Sequence, residues 1–188
     1  TPADVTDLNS KSDIRTVCGL GLLEKNELGN FKPNDLIIRK EFLTAICKMF
    51  GLMPLDKTSP EEPGELLKIQ GYIDEDADET SNILYEEAVE ILVKALGYGD
   101  AVKADTPAEY IKKASNLKLL NNVECGSGDN ITRENAAVLL ANALETNIMD
   151  HTGFGTKQTY KVEKGVTPLS EYMEIYKGEG IVSDTSVT

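Results

Sequence analysis

Residues 131–144 read Ile131-Thr132-Arg133-Glu134-Asn135-Ala136-Ala137-Val138-Leu139-Leu140-Ala141-Asn142-Ala143-Leu144. Thr132 is a good N-cap, because its hydroxyl oxygen can accept from a first-turn amide that has no partner within a helix. Behind it Ala136, Ala137, Leu140, Ala143 and Leu144 fall on one face at helical spacing. The stretch is therefore expected to form a short amphipathic helix that packs along that stripe.

The pattern occurs twice more upstream. Ile37-Ile38-Arg39-Lys40 and Ile83-Leu84-Tyr85-Glu86 align with Ile131-Thr132-Arg133-Glu134 at offsets of 46 and 48 residues. Apolar positions keep register behind them: Phe42 with Ala88 and Ala136, Leu43 with Val89 and Ala137, Ile46 with Leu92 and Leu140, Phe50 with Leu96 and Leu144. Lys48, Lys94 and Asn142 share one polar position, read as exposed. Gly51 and Gly97 stop the first two helices as left-handed caps, and Glu145 stands in that place in the third.

A shorter helical segment precedes each of these helices. Thr106-Pro107-Ala108-Glu109 reads as a capping box with proline at the first helical position. Ser12, before Asp13-Ile14-Arg15, takes that part in the first copy, and Ser59-Pro60-Glu61-Glu62 in the second, where Pro63 and Gly64 count against it. These first helices end near Leu20-Gly21-Leu22-Leu23, Gln70-Gly71-Tyr72-Ile73 and Leu117-Lys118-Leu119-Leu120, and polar loops with Gly29 and Pro33, or Gly126 and Gly128, turn the chain back.

One helix-loop-helix unit of about 47 residues cannot hide its own apolar face, so three must stack to make a core. The expected fold is mainly α: three pseudo-repeats over residues 4–149, at about 4–52, 56–98 and 104–146, with a short mixed α/β segment over 150–188. In that segment Lys157–Val162 alternates like a strand, Thr167 and Pro168 open a helix ending at Gly178, and Ile181-Val182-Ser183 suits a closing strand. It reads as a linker, the start of another domain, or an arm folded back on the bundle.

Composition narrows the function. With 19 Lys and Arg against 32 Asp and Glu the net charge is -13, which opposes binding to a nucleic-acid backbone. No apolar run approaches the roughly 20 residues of a membrane span, and Thr1-Pro2-Ala3-Asp4 has neither part of a signal peptide. Cys18, Cys47 and Cys125 form no Cys-x-x-Cys pair; Cys18 and Cys47 suit buried helix positions, and Cys125, in a Gly-Ser-Gly loop, is the most reactive candidate. The acidic run Asp74–Glu79 alternates carboxylates as calcium loops do, but has Glu79 and Tyr85 where an EF-type loop needs glycine and glutamate, so it reads as a solvated loop. His151 is the single histidine and has no nucleophile or metal ligands around it; no carboxylate pair is singled out either. The chain reads as a non-enzyme, with no catalytic residues, metal or cofactor.

Gly29-Asn30-Phe31-Lys32-Pro33-Asn34 followed by Ile37-Ile38-Arg39-Lys40-Glu41-Phe42 resembles the S-layer homology (SLH) motif, G-x-F-x-P and then ITRAEF. Ile131-Thr132-Arg133-Glu134 repeats its second half, and Tyr85 through Tyr98 is similar to the same family in clostridia and related Gram-positive bacteria. The resemblance runs from about Asp4 to Glu145. It implies an extracellular, cell-surface module that binds an anionic, often pyruvylated, secondary cell-wall polysaccharide non-covalently in grooves between repeats. Arg39 and Arg133 stand at the family's saccharide-contacting position, where a guanidinium can grip a carboxylate with two parallel hydrogen bonds. Tyr85 holds that place in the second copy, where it can stack on a sugar but brings no charge. Against this stands the structural reading, in which the arginines pair with a nearby acid. The binding reading expects Arg39→Ala and Arg133→Ala to weaken wall retention with little loss of stability; the structural one expects the reverse. The motif threonine is replaced by Ile38 and Leu84, removing a cap worth about 1 kcal/mol. With Tyr85, those replacements favour an alternative function: a surface-protein assembly module that has lost its saccharide site.

Overall fold

The computed structural model describes residues 2–6, 8–55, 62–73, 78–152 and 159–176. Among these the chain is mainly helical: α1 (Lys11–Gly19), α2 (Arg39–Met49), α3 (Pro63–Ile69), α4 (Tyr85–Ala95), α5 (Pro107–Asn116) and α6 (Arg133–Leu144), then β1 (Met149–Thr152), β2 (Thr159–Val162) and the single turn α7 (Pro168–Glu171). All twelve residues named above as matched apolar positions, from Phe42 to Leu144, are buried. On α6, however, Val138 and Leu139 are buried as well. The helix touches α1, α2 and α7, so it is covered well beyond the one stripe that its sequence shows.

Packing follows the joints between units. The second helix of each unit lies on the first helix of the next, α2 on α3 and α4 on α5, and α6 closes the ring against α1. At the centre the three matched isoleucines form a cycle of backbone hydrogen bonds. The Ile37 amide donates to the Ile131 carbonyl (3.1 Å), Ile131 to Ile83 (3.1 Å) and Ile83 to Ile37 (3.3 Å). Their side chains have no exposure at all. Isolated bridges flank the cycle, Leu36 opposite Thr132, Ile38 opposite Asn82 and Leu84 opposite Asn130. Because extended residues alternate in direction, the isoleucines point inward and their neighbours outward.

This cycle also caps the helices. The amides of Arg39 and Lys40 donate to the carbonyls of Ser81 (2.8 Å) and Glu79 (2.9 Å), Tyr85 to Asp129 (2.9 Å), and Arg133 and Glu134 to Asp35 (2.9 Å) and Pro33 (3.0 Å). Loop carbonyls of a neighbouring unit thus take amides that a helix leaves unpaired. Thr132 adds a side-chain cap, accepting from the Asn135 amide at 3.2 Å, whereas Ile38 and Leu84 cannot.

Several local expectations need correction. α1 begins at Lys11, with Ser10 rather than Ser12 before it, and the Ser10 hydroxyl donates to Glu134 (2.6 Å) instead of capping. Pro63 does not weaken α3 but opens it, at the first helical position where a missing amide does no harm; Ser59–Glu61 lie outside the described residues. Thr106 precedes α5 without a side-chain cap bond. Lys48 is not exposed: it keeps 8 % of its surface, and its Nζ donates to the Gly21 carbonyl at 3.0 Å. Its long apolar stem lies in the core while the ammonium satisfies the turn that ends the first helix. Asn142 does the same from α6, donating to the carbonyls of Leu119 and Asn121 (both 2.9 Å).

The C-terminal segment forms an antiparallel hairpin, Met149 opposite Val162 and Thr152 opposite Thr159. Its first strand, β1, has no periodicity to announce it and is absent from the sequence reading. The second confirms Thr159–Val162 of the expected strand. α7 begins as expected at Pro168, inside a Thr167–Ser170 capping box, but ends at Glu171. Gly178, Lys157, Gln158 and Ile181-Val182-Ser183 lie outside the described residues. The described part lies against the bundle: the Met149 amide donates to Leu96 (2.9 Å), Tyr98 Oη to the Asn147 carbonyl (2.8 Å), and Tyr172 meets Phe50 edge-to-face at 5.5 Å.

Candidate functional site

Arg39 and Arg133 stand at the first turns of α2 and α6, and each reaches across a joint between units. Arg39 grips Glu87 with two parallel bonds, Nε to Oε1 and Nη2 to Oε2, both 2.7 Å; its Nη1 donates to the Asp78 carbonyl (2.6 Å) and to Ser81 Oγ. Hydrogen bonding to Glu87 raises the guanidinium's already high pKa. Arg133 pairs with Glu41 through Nη1, donates from Nε to the Phe31 carbonyl and from Nη2 to the Glu24 carbonyl (both 2.7 Å), and lies over the Phe31 ring at 4.8 Å. Only 14 % of the Arg39 side chain and 12 % of that of Arg133 meet solvent.

These pairs follow the repeat. Glu41, Glu87 and Asn135 are in register, two residues after Arg39, Tyr85 and Arg133. Each arginine reaches the acid of the next unit round the ring, and the third joint has Tyr85 and Asn135 instead. There Tyr85 is buried, and Asn135 turns back within its own unit to the Glu124 amide (2.9 Å) and carbonyl (3.1 Å). Arginine and its acid are thus replaced together. The sequence offered this signal in the paired change from Glu to Asn135 and from Arg to Tyr85, but nothing in it says which acid an arginine meets.

Among the grooves that the described residues form are four of note. One of about 600 Å³, where α6 starts beside α1, is lined by Ser10, Asp13, Asn34, Glu124, Glu134 and Asn135 among others. A second, about 920 Å³, runs along α6 past Lys113, Asn116, Lys118, Asn121, Asn142 and Glu145. A third, about 590 Å³, includes Tyr72, Lys94, Asp100, Asp105 and Tyr110. The fourth, about 320 Å³, lies beside α2 with Leu22, Glu24, Ile38, Lys40, Glu41 and Thr44. Burial and the Asp105 hydrogen bond push the Tyr110 hydroxyl up to about 12, so this phenol is a neutral hydrogen-bonding group across the physiological range.

Asp13 lines the first two grooves. Burial, and then the charge of Glu145, raise its pKa, so its ionised form is disfavoured in the folded chain. For an acid with a raised folded pKa, the loss of stability is complete above that pKa and disappears below the unfolded one. Asp13→Asn is therefore expected to stabilise the protein at pH 7 by on the order of 0.5 kcal/mol, kept small by solvent screening. The gain should vanish near pH 3 when thermal melts of the two proteins are compared.

The cysteines offer no activated thiol. Burial pushes Cys47 up to about 12, and burial also raises Cys18 and Cys125. Cys125, expected to be the most reactive, is thus a protonated and weak nucleophile at neutral pH. Among the described residues no group of three or more His, Cys, Asp or Glu side chains is placed to hold a metal ion, and no helix is long and apolar enough to cross a membrane. Asp74–Ala77 and the side chain of His151 lie outside the described residues.

The described residues thus form a ring of helix pairs with polar grooves on its surface. No family model matches the chain. It is 26 % identical over 194 residues to the middle cell wall protein of Brevibacillus brevis, and 25 % identical over 196 residues to the surface layer protein of Brevibacillus choshinensis. Each alignment takes in 93 % of this chain but only 18 % and 17 % of those proteins, so the chain spans less than a fifth of the curated relatives it matches. The likeness to cell-wall and surface-layer proteins places it at the cell surface.

Proposed function

We propose that this chain is a non-catalytic, SLH-like module that fixes a larger exported protein to the cell wall by binding secondary cell-wall polysaccharide non-covalently. One observation carries the reading: a chain similar to cell-wall proteins packs its helix pairs into a ring, and the joint between α6 and α1 opens into two grooves rich in amides, hydroxyls and charged groups. Arg39, Arg133 and Tyr85 sit at the three joints but outside the walls of these grooves. A pyruvyl carboxylate reaches either guanidinium by displacing the Glu87 or Glu41 carboxylate seated there, so contacts from groove amides, hydroxyls and lysines supply most of the affinity. The net charge of -13 repels an anionic polymer at long range, and salt should weaken that repulsion.

Purified protein is expected to co-sediment with cell-wall sacculi, and to stay in solution once the polymer or its pyruvate groups are removed. Equal retention on treated and untreated walls would sink the saccharide reading. A second reading, a module that assembles with surface-protein partners, is favoured by the apolar residues exposed around the isoleucine cycle.

A further inference from the structure

We propose that the outer face of the isoleucine cycle is a docking surface for a protein segment carrying apolar side chains flanked by lysine or arginine; the proposal rests on the assembly reading. Leu36, Ile38 and Leu84 point outward there with 45 %, 43 % and 42 % of their surface exposed, each bridged to a polar residue of the same face, Thr132, Asn82 and Asn130 respectively. Folding asks for none of this. At the positions of Ile38 and Leu84 a threonine would take up a first-turn amide, as Thr132 does from Asn135. Two copies instead forgo a cap worth about 1 kcal/mol and place large apolar groups in water. Both departures become favourable when a partner covers the face, since burying the exposed part of each side chain returns about 25 cal/mol per Å². The surface is also concave at its edge, where the groove beside α2 sets Leu22 and Ile38 among the charged side chains of Glu24, Lys40, Glu41 and Lys48.

Charge selects the occupant. Exposed Asp35 and Asp129 adjoin the bridges, and Glu86 and Glu134 stand in the first turns of α4 and α6. Lys40, in the matching place on α2, is taken up by Glu62 (2.5 Å) and Glu79 (3.8 Å), and Lys32 is paired with Asp35 (3.3 Å). With the Lys32–Asp35 pair neutral, Asp129, Glu86 and Glu134 make the rim acidic, on a chain of charge -13. A second copy would bring the same charge, and three half-exposed side chains offer much less than the roughly 800 Å² per partner of a stable dimer. A short segment with apolar anchors and basic flanks meets both demands.

The test uses a synthetic peptide of alternating leucine and lysine, with a serine–lysine peptide as its charge-matched control, titrated by calorimetry. The leucine peptide should bind and the serine peptide should not. Ile38→Thr combined with Leu84→Thr, which restores both caps and so should melt no lower, is expected to weaken binding about tenfold or more. Leu36→Ser, which leaves the caps alone, should also weaken it, while Ile69→Thr, at a still more exposed apolar residue on α3, should not. Unchanged binding by the double variant, or equal binding of the two peptides, would overturn the proposal. So would light scattering that shows a dimer of the parent chain lost in the double variant, because the face would then belong to a second copy. Retention on sacculi separates this proposal from the saccharide reading: the double variant should keep it, and joint loss of peptide and wall binding would assign the face to the polysaccharide instead.

Discussion

Arg39→Ala is expected to lower the melting temperature by about 5–12 °C, corresponding to about 2–4 kcal/mol for a chain of this size. The loss arises less from the missing attraction than from what is left behind. Glu87, with 26 % of its side chain exposed, would keep a largely desolvated carboxylate without its two donors, and the Asp78 carbonyl and Ser81 hydroxyl would lose a partner as well. A thermal double-mutant cycle with Glu87→Gln should return a coupling of about 1–3 kcal/mol. A melt within about 1 °C of the parent, together with lost wall retention, would restore to Arg39 the ligand role that its motif position implies. The same logic holds for Arg133, whose neighbour Glu41 would be stranded in the same way.

Gly97→Ala should be nearly as damaging, and Gly51→Ala much less, although the two glycines occupy the same place in successive copies. Both sit at positive φ, +69° for Gly51 and +86° for Gly97, where any other residue costs about 1 kcal/mol. They differ in their surroundings. A Cβ on Gly51 would meet the Tyr172 ring at 3.6 Å, an ordinary contact, whereas on Gly97 it would run into the Met149 carbonyl. Relief requires the hairpin to move and strains the Met149–Leu96 hydrogen bond. We expect about 2–4 kcal/mol for Gly97→Ala against about 1 for Gly51→Ala. Amide exchange would report the mechanism, through faster exchange at Met149 and Ile148 in the Gly97 variant alone.

The helices were legible wherever period and punctuation agreed. Thr132 with the Ala136–Leu144 stripe, and Gly51 and Gly97 as stops, are local signals, and the structure has all of them. Lys48 was misread because a lysine is amphipathic: its identity does not say whether the stem lies in water or in a core that leaves its ammonium a carbonyl to bond. β1 was missed because Met149-Asp150-His151-Thr152 carries no alternation, and a two-stranded hairpin takes its support from the bundle under it. For the candidate site, the motif drew attention to Arg39, Arg133 and Tyr85, and these do sit at the joints. Their partners are another matter. Glu87 is 48 residues from Arg39, and Glu41 is 92 from Arg133, so the pairing depends on how the ring closes and not on any local spacing.

That closure bears on how the chain acquires its structure. The isoleucine cycle has no beginning: with the stretch around Ile131 still unmade, the Ile37 amide lacks an acceptor, the Ile83 carbonyl lacks a donor, and α1 has no α6 to lie on. Contacts so distant along the sequence delay folding, because the entropy of closing the loop is lost before any of them forms. A fragment holding two of the three motif copies should therefore remain loosely structured, and stable structure should appear in one step when the last copy is added. A protein crossing a membrane as an open chain gains from this arrangement, since it cannot lock into shape before most of it has arrived.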